Sequence, residues 1–227
     1  MTGSFSLTDP RLTIERFWAD ESGASLVEFA LVITLFLFLL LAIIDFGRIG
    51  HAWVSANKAT QLAARLAAVR PPVCDGVPAT NVRGLNTAPA FGALCRAGLD
   101  VCRPSTPAII SCPGIATKAT AQEIFTAIRP LLPASATIDN LRYTYAFNNQ
   151  LGFLGGPYVP MVTVDLFVEN PEDPEDPCHG VKFFFISQLK FFVTALTGQS
   201  SELGAAICMP GMSVSLPGED LNLGIGG

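Results

Sequence analysis

From Phe29 to Ile44 the chain has no charged residue, and Thr34 is its one polar side chain. Extended back to Ala24, this stretch makes an α-helix about 31 Å long, which matches the hydrocarbon thickness of a bilayer. A single carboxylate, Glu28, stands just inside the apolar run. A charge in that position costs roughly 2.5–3.5 kcal/mol on insertion scales, so Glu28 either needs a partner or sits solvated at the headgroup boundary. Beyond Arg48 the pattern changes while the helical period persists: Ile49, Ala52, Trp53, Ala56, Ala59, Ala63, Leu66 and Ala67 recur at helical spacing in an alanine-rich segment. Arg70-Pro71-Pro72 closes it, because two successive prolines cannot continue the hydrogen-bond ladder, and the helix is expected to stop near Val69. The pattern predicts one continuous helix of about 45 residues, with a membrane half and a stalk half, and with Trp53 packed on the domain that follows in preference to anchoring at the membrane interface.

After the prolines the period shortens. Residues 71–114 are rich in Pro, Gly, Ala and Cys and read as a loop region stapled by disulfides. Ala121, Ile124, Phe125 and Ile128 then predict a short amphipathic helix over 118–129, ended by Pro130. In Leu141–Phe147 and again in Val162–Val168 large apolar residues alternate with polar ones, which predicts two half-buried strands of an antiparallel hairpin. A long Gly/Asn-rich connection joins them, and Gly152-Phe153-Leu154-Gly155-Gly156 within it is a turn. Met212–Leu216 is a third candidate strand. Between these, Glu169–Cys178 sets a proline at every third position among acids, a stiff solvated loop without the glycine of a calcium-binding loop. Val181–Leu196 concentrates phenylalanines and reads as a helix across the sheet, or as a surface that dips into the membrane interface or docks on a partner.

Composition narrows the function. At 227 residues and a net charge of −5 the chain allows an anchor plus one soluble head, and no basic stripe suited to nucleic acid is present. The six cysteines, Cys74, Cys95, Cys102, Cys112, Cys178 and Cys208, all follow the apolar helix, so the head is expected on an oxidising side with these residues as candidate disulfides. Spacing selects no pairing, and zinc is a weak alternative because no Cys-x-x-Cys occurs. The basic residues flanking the helix favour the opposite orientation, with Arg11 and Arg16 before it and Arg48, Lys58, Arg65 and Arg70 after it. A long downstream domain translocates largely regardless of such charges, and the cysteines prevail. Two histidines, His51 and His179, with no nucleophile elbow, phosphate loop or metalloprotease motif, argue against an enzyme; no catalytic residue, metal or cofactor is expected.

The residues around the start of the helix carry a family resemblance. Gly23, then Glu28-Phe29 at the head of an apolar helix, resembles the processing site of type IV pilins and pseudopilins. More narrowly, Asp20–Leu31 together with Asp45-Phe46-Gly47-Arg48 resembles TadE/TadG-like proteins of the tight-adherence (Flp) pilus apparatus. The resemblance implies cleavage by a prepilin peptidase between Gly23 and Ala24, and assembly through Glu28 and Phe29 with other pilins or pseudopilins of that apparatus. It implies a fold that is α+β and pilin-like: a cytoplasmic leader (1–23), a transmembrane and stalk helix (24–70) and a disulfide-braced extracytoplasmic head (71–227) with a small antiparallel sheet and helices. The expected role is a minor pilin or pseudopilin in adhesive Flp pili. Its place is the bacterial inner membrane, in contact with lipid, single-pass, N-terminus cytoplasmic, head periplasmic or extracellular. The alternative is an unprocessed, signal-anchored binding module outside any pilus.

Overall fold

The computed structural model describes residues 23–104, 106–166, 182–184, 206–219 and 221. The leader up to residue 22, the proline-acid segment 169–178 with Cys178, His179, and the phenylalanine-rich segment apart from 182–184 lie outside the described residues. The chain is α+β. One helix, α1 (Ala24–Val69), runs for 46 residues without a break, about 69 Å at the usual rise. It ends one residue before Pro71 is reached, at a cap residue, Arg70, in extended conformation. The carbonyl of Ala68, left without a helical donor, accepts the backbone N–H of Glu219 at 3.0 Å, so the far end of the chain caps the helix.

The second half of α1 is one wall of the core. Its buried positions are Asp45, Ala56, Ala59, Thr60, Ala63, Ala64, Ala67 and Ala68, and the small alanines let a sheet approach closely. That sheet has four antiparallel strands in the order β3 (Ile109–Pro113), β4 (Leu141–Ala146), β5 (Met161–Leu166) and β8 (Met212–Pro217). The alternation read in the sequence sets its two faces. Leu141, Tyr143 and Tyr145 of β4 and Val162, Val164 and Leu166 of β5 are buried toward α1, in a register that pairs Tyr143 with Val164. On the solvent face Ser111, Thr144, Thr163 and Ser215 form a row across the sheet, bonded in pairs at 3.0 and 2.7 Å. Helix α2 (Ala119–Ile128) closes the core with Ala121, Ile124 and Ile128.

Two-residue strands β1 (Val82–Arg83) and β2 (Cys102–Arg103) pair within the cysteine-rich region. The glycine turn docks onto that region: Leu154 is buried against Cys95, Val101 and Cys102, and its backbone bonds Gly92 and Ala93. Gly152, at φ 74°, lies against the Asn81 amide, where any side chain would collide with it.

Three expectations are corrected. The 71–114 region is not loop throughout, because Ile109–Pro113 is an edge strand whose proline stands at its end, where a missing N–H is tolerated. The start of the phenylalanine-rich segment is not helix: Lys182–Phe184 is strand β6, paired with β7 (Ala206–Cys208), and Phe183 is buried. Trp53 does not pack into the core of the head; it is 50% exposed, beside the buried Ala56 and Thr60 on α1.

Candidate functional site

The residues singled out at the N-terminus sit together at the bare end of α1. Gly23 precedes the helix as its cap residue, without a side-chain cap bond, and Ala24 is the first helical residue. Glu28 follows one turn later on the same face, about 6 Å along the axis. Phe29 beside it is 67% exposed. From Ala24 to Ile44 no residue is buried, and only Phe38 and Ala42 are partly covered. Among the described residues α1 holds the one stretch long and apolar enough to cross a membrane.

At the other end of this stretch the surface changes abruptly. Asp45 is 1% exposed and is the one buried charged side chain among the described residues. An Arg48 Nη1 donates to its Oδ1 at 2.9 Å, one helical turn on, and the Arg48 guanidinium lies 5.0 Å over the ring of Phe183 on β6. A buried carboxylate is tolerable only with such a partner, and the cation over the ring adds a further contact. The pair therefore pins the exit of the apolar helix to the head. Sequence reading placed Asp45 and Arg48 in a motif without giving them a task. An acid directly after an apolar run, with arginine three residues on, was the available sign.

In the head, Cys74 is bonded to Cys112, with Cα atoms 5.6 Å apart, and Cys95 to Cys102, with Cα atoms 5.1 Å apart. Cys208 is disulfide-bonded as well. The first bridge closes the cysteine-rich region onto β3; the second closes a tight loop inside it. The Tyr145 hydroxyl accepts the Val73 N–H at 3.1 Å, while the buried Tyr143 hydroxyl has no hydrogen-bond partner among the described residues. Burial raises both phenols above their ordinary range, reinforced at Tyr143 by its neighbour Tyr145 and opposed at Tyr145 by the Val73 N–H. Neither side chain is suited to proton transfer near neutrality. His51 lies exposed on the stalk, remote from these groups in the chain, and no cluster of three metal-ligating side chains occurs among the described residues.

Residues 23–65 match the family model described as TadE-like protein, the family that the N-terminal residues resemble. The match takes in Gly23, Glu28, the apolar stretch and the Asp45–Arg48 pair, and ends inside the stalk. No curated protein and no solved structure matches the chain.

Proposed function

We propose that this chain is a minor pilin or pseudopilin of a tight-adherence pilus system, held in the membrane by the first half of α1 until it enters an assembly. The TadE-like match points to a protein related to such a pilus. The observation that carries the finer reading is the bareness of residues 24–44. Leu26, Phe29, Leu31, Val32, Leu35 and Ile43 are each more than half exposed, on every side of one helix. Such a surface needs lipid or the helices of other subunits to cover it, and a helix can exchange the first cover for the second.

In this reading a prepilin peptidase cuts between Gly23 and Ala24, and the new amino group of one subunit meets Glu28 of another. In a low-dielectric environment each charge alone is costly, whereas the pair is tolerable, so Glu28 sets the register of insertion. The head, on the far side of the membrane from the leader, contributes structure and contacts rather than catalysis.

Mass spectrometry of the mature N-terminus in a strain with active processing tests the first step. A start at Ala24 supports it, and an intact Met1 returns the protein to a tethered module. Glu28→Gln tests the second: pilus assembly, and co-purification of pilus components with the tagged protein, fall to background. Unchanged assembly removes the charge-pair role.

A further inference from the structure

The outward face of the four-stranded sheet is exposed along its edge strands and half-exposed at its centre, and the strand register orders it in three rows. Arg142 and Asp165 stand side by side at the centre of the first. The second is the hydroxyl row of Ser111, Thr144, Thr163 and Ser215, and the third is Ile109, Ala146, Met161 and Pro217. We propose that a second copy of this chain covers the face, sheet on sheet, about a two-fold axis that runs along the strands between β4 and β5.

Three observations carry this. The charges are the first. Such an axis lays β4 on the partner's β5 and each row on itself, so Arg142 faces the partner's Asp165 and Asp165 faces the partner's Arg142. Within one chain the two are register neighbours, yet no ion pair joins them. The other rows are the second observation. Each bonded pair of hydroxyls keeps one O–H to donate to the pair that faces it, directly or through water. In the third row Ala146 meets the partner's Met161, and Ile109 meets the partner's Pro217. A face that complements itself in all three rows selects a second copy over an unrelated protein.

Direction is the third. β7 pairs with Phe183 beside Arg48, and just past β8 the N–H of Glu219 bonds the carbonyl of Ala68, so β8 runs along the stalk in the same sense as α1. An axis along the strands is therefore an axis along α1, and both apolar helices enter one membrane in the same sense, on the outer sides of the pair. Aligned sheets pack at about −30°, which tilts each α1 by about 15° from the axis, within the usual range for membrane helices. The face measures about 19 by 17 Å, well under the roughly 800 Å² a side of a standard interface. Confinement of both anchors to one membrane plane makes so small a contact sufficient.

The pairing stands apart from the pilus reading and rests on the membrane anchor alone. Full-length chains carrying donor or acceptor fluorophores on a C-terminal tag are reconstituted together in vesicles, and energy transfer between them is read. The parent shows transfer above that of a monomeric membrane protein at the same density. Arg142→Asp sets acid against acid twice, Asp165→Arg sets base against base twice, and each alone lowers association at least about tenfold. Mixing the two variants restores it, because each face then meets its complement, and that recovery also shows both heads to be folded. Transfer in the parent no greater than in the monomeric control overturns the pairing. Transfer retained by each variant alone overturns the face and assigns association to the apolar helices. Loss in both variants without recovery on mixing overturns the two-fold register. Failure of the chain to enter vesicles overturns the anchor, and the arrangement with it.

Discussion

The two halves of α1 treat large and small apolar residues in opposite ways. Between Ala24 and Ile44 the helix carries phenylalanines, leucines and isoleucines on all sides and buries none of them, whereas past Asp45 nearly every buried position is alanine. Large apolar side chains therefore do not mark this protein's own core on its longest helix; small ones do. In the stalk, alanines bring the helix axis close to the sheet, and the bulk of the core comes from Tyr143, Tyr145, Ile124, Ile128 and Leu141 on the facing elements. In the apolar half, a candidate membrane anchor, the bulk is displayed outward. The boundary between the two is sharp, and Asp45, Arg48 and Phe183 stand on it.

The contrast can be broken in order of expected effect, by thermal unfolding of the full chain in detergent followed through near-UV circular dichroism. The largest loss comes from the head alone. Replacing Cys74 and Cys112 with serine opens a bridge spanning 38 residues and costs about 2–4 kcal/mol, with no change in the helicity of the anchor. Retained stability would mean that the hydrophobic contacts of the head suffice without the bridge.

Next comes a paired substitution on the one helix. Ala63→Leu, at a position with no exposed surface, overpacks the stalk and costs about 1–3 kcal/mol. Leu35→Ala, at a position 62% exposed, leaves the unfolding of the head within about 0.5 kcal/mol of the parent. Equal effects from the two would erase the distinction between the halves.

The smallest effects separate the two core tyrosines. Tyr145→Phe leaves the buried Val73 N–H without its acceptor and costs about 1 kcal/mol, while Tyr143→Phe removes a hydroxyl that lacks a described partner and is near neutral. Both phenols are held protonated in the folded head, above their unfolded value of about 10. Their contribution to stability is therefore fully present below pH of about 10 and is lost as pH rises from there toward the folded values. The double phenylalanine variant flattens this alkaline decline in a denaturation series; an unaltered decline assigns it to other groups.

Much of this fold was legible because its elements obey simple periods. The 3.6-residue repeat of Ala56, Ala59, Ala63 and Ala67, stopped by Pro71, located the long helix and its end. The period-two runs located β4 and β5 and told which residues face inward, and Ala121, Ile124 and Ile128 located α2. Strand β3 was hidden because Ile109-Ile110-Ser111-Cys112-Pro113 is too short and mixed to alternate visibly, and it is defined by pairing with β4 rather than by its own pattern. Phe183 and Phe184 suit helix or strand equally, and pairing with β7 decides between them. At Trp53 bulk misled: its spacing puts it beside Ile49, Ala56 and Thr60, yet it stays half exposed while Ala56 and Thr60 are buried. Of the candidate site, the charge at Glu28 stands out in sequence because its surroundings are so apolar. The burial of Asp45 does not, because nothing in Asp45-Phe46-Gly47-Arg48 itself marks which side chain the fold covers.

Since α1 passes from Glu28 to Val69 with no hinge, the bearing of the head about the helix axis is locked to the bearing of that carboxylate. One residue inserted between Ile44 and Asp45 would leave both halves intact yet swing the head through about 100° and lift it about 1.5 Å. The chain is thus a crankshaft whose two ends keep a common phase, and the compass direction in which the sheet looks outward follows from the bearing at which the apolar end is held.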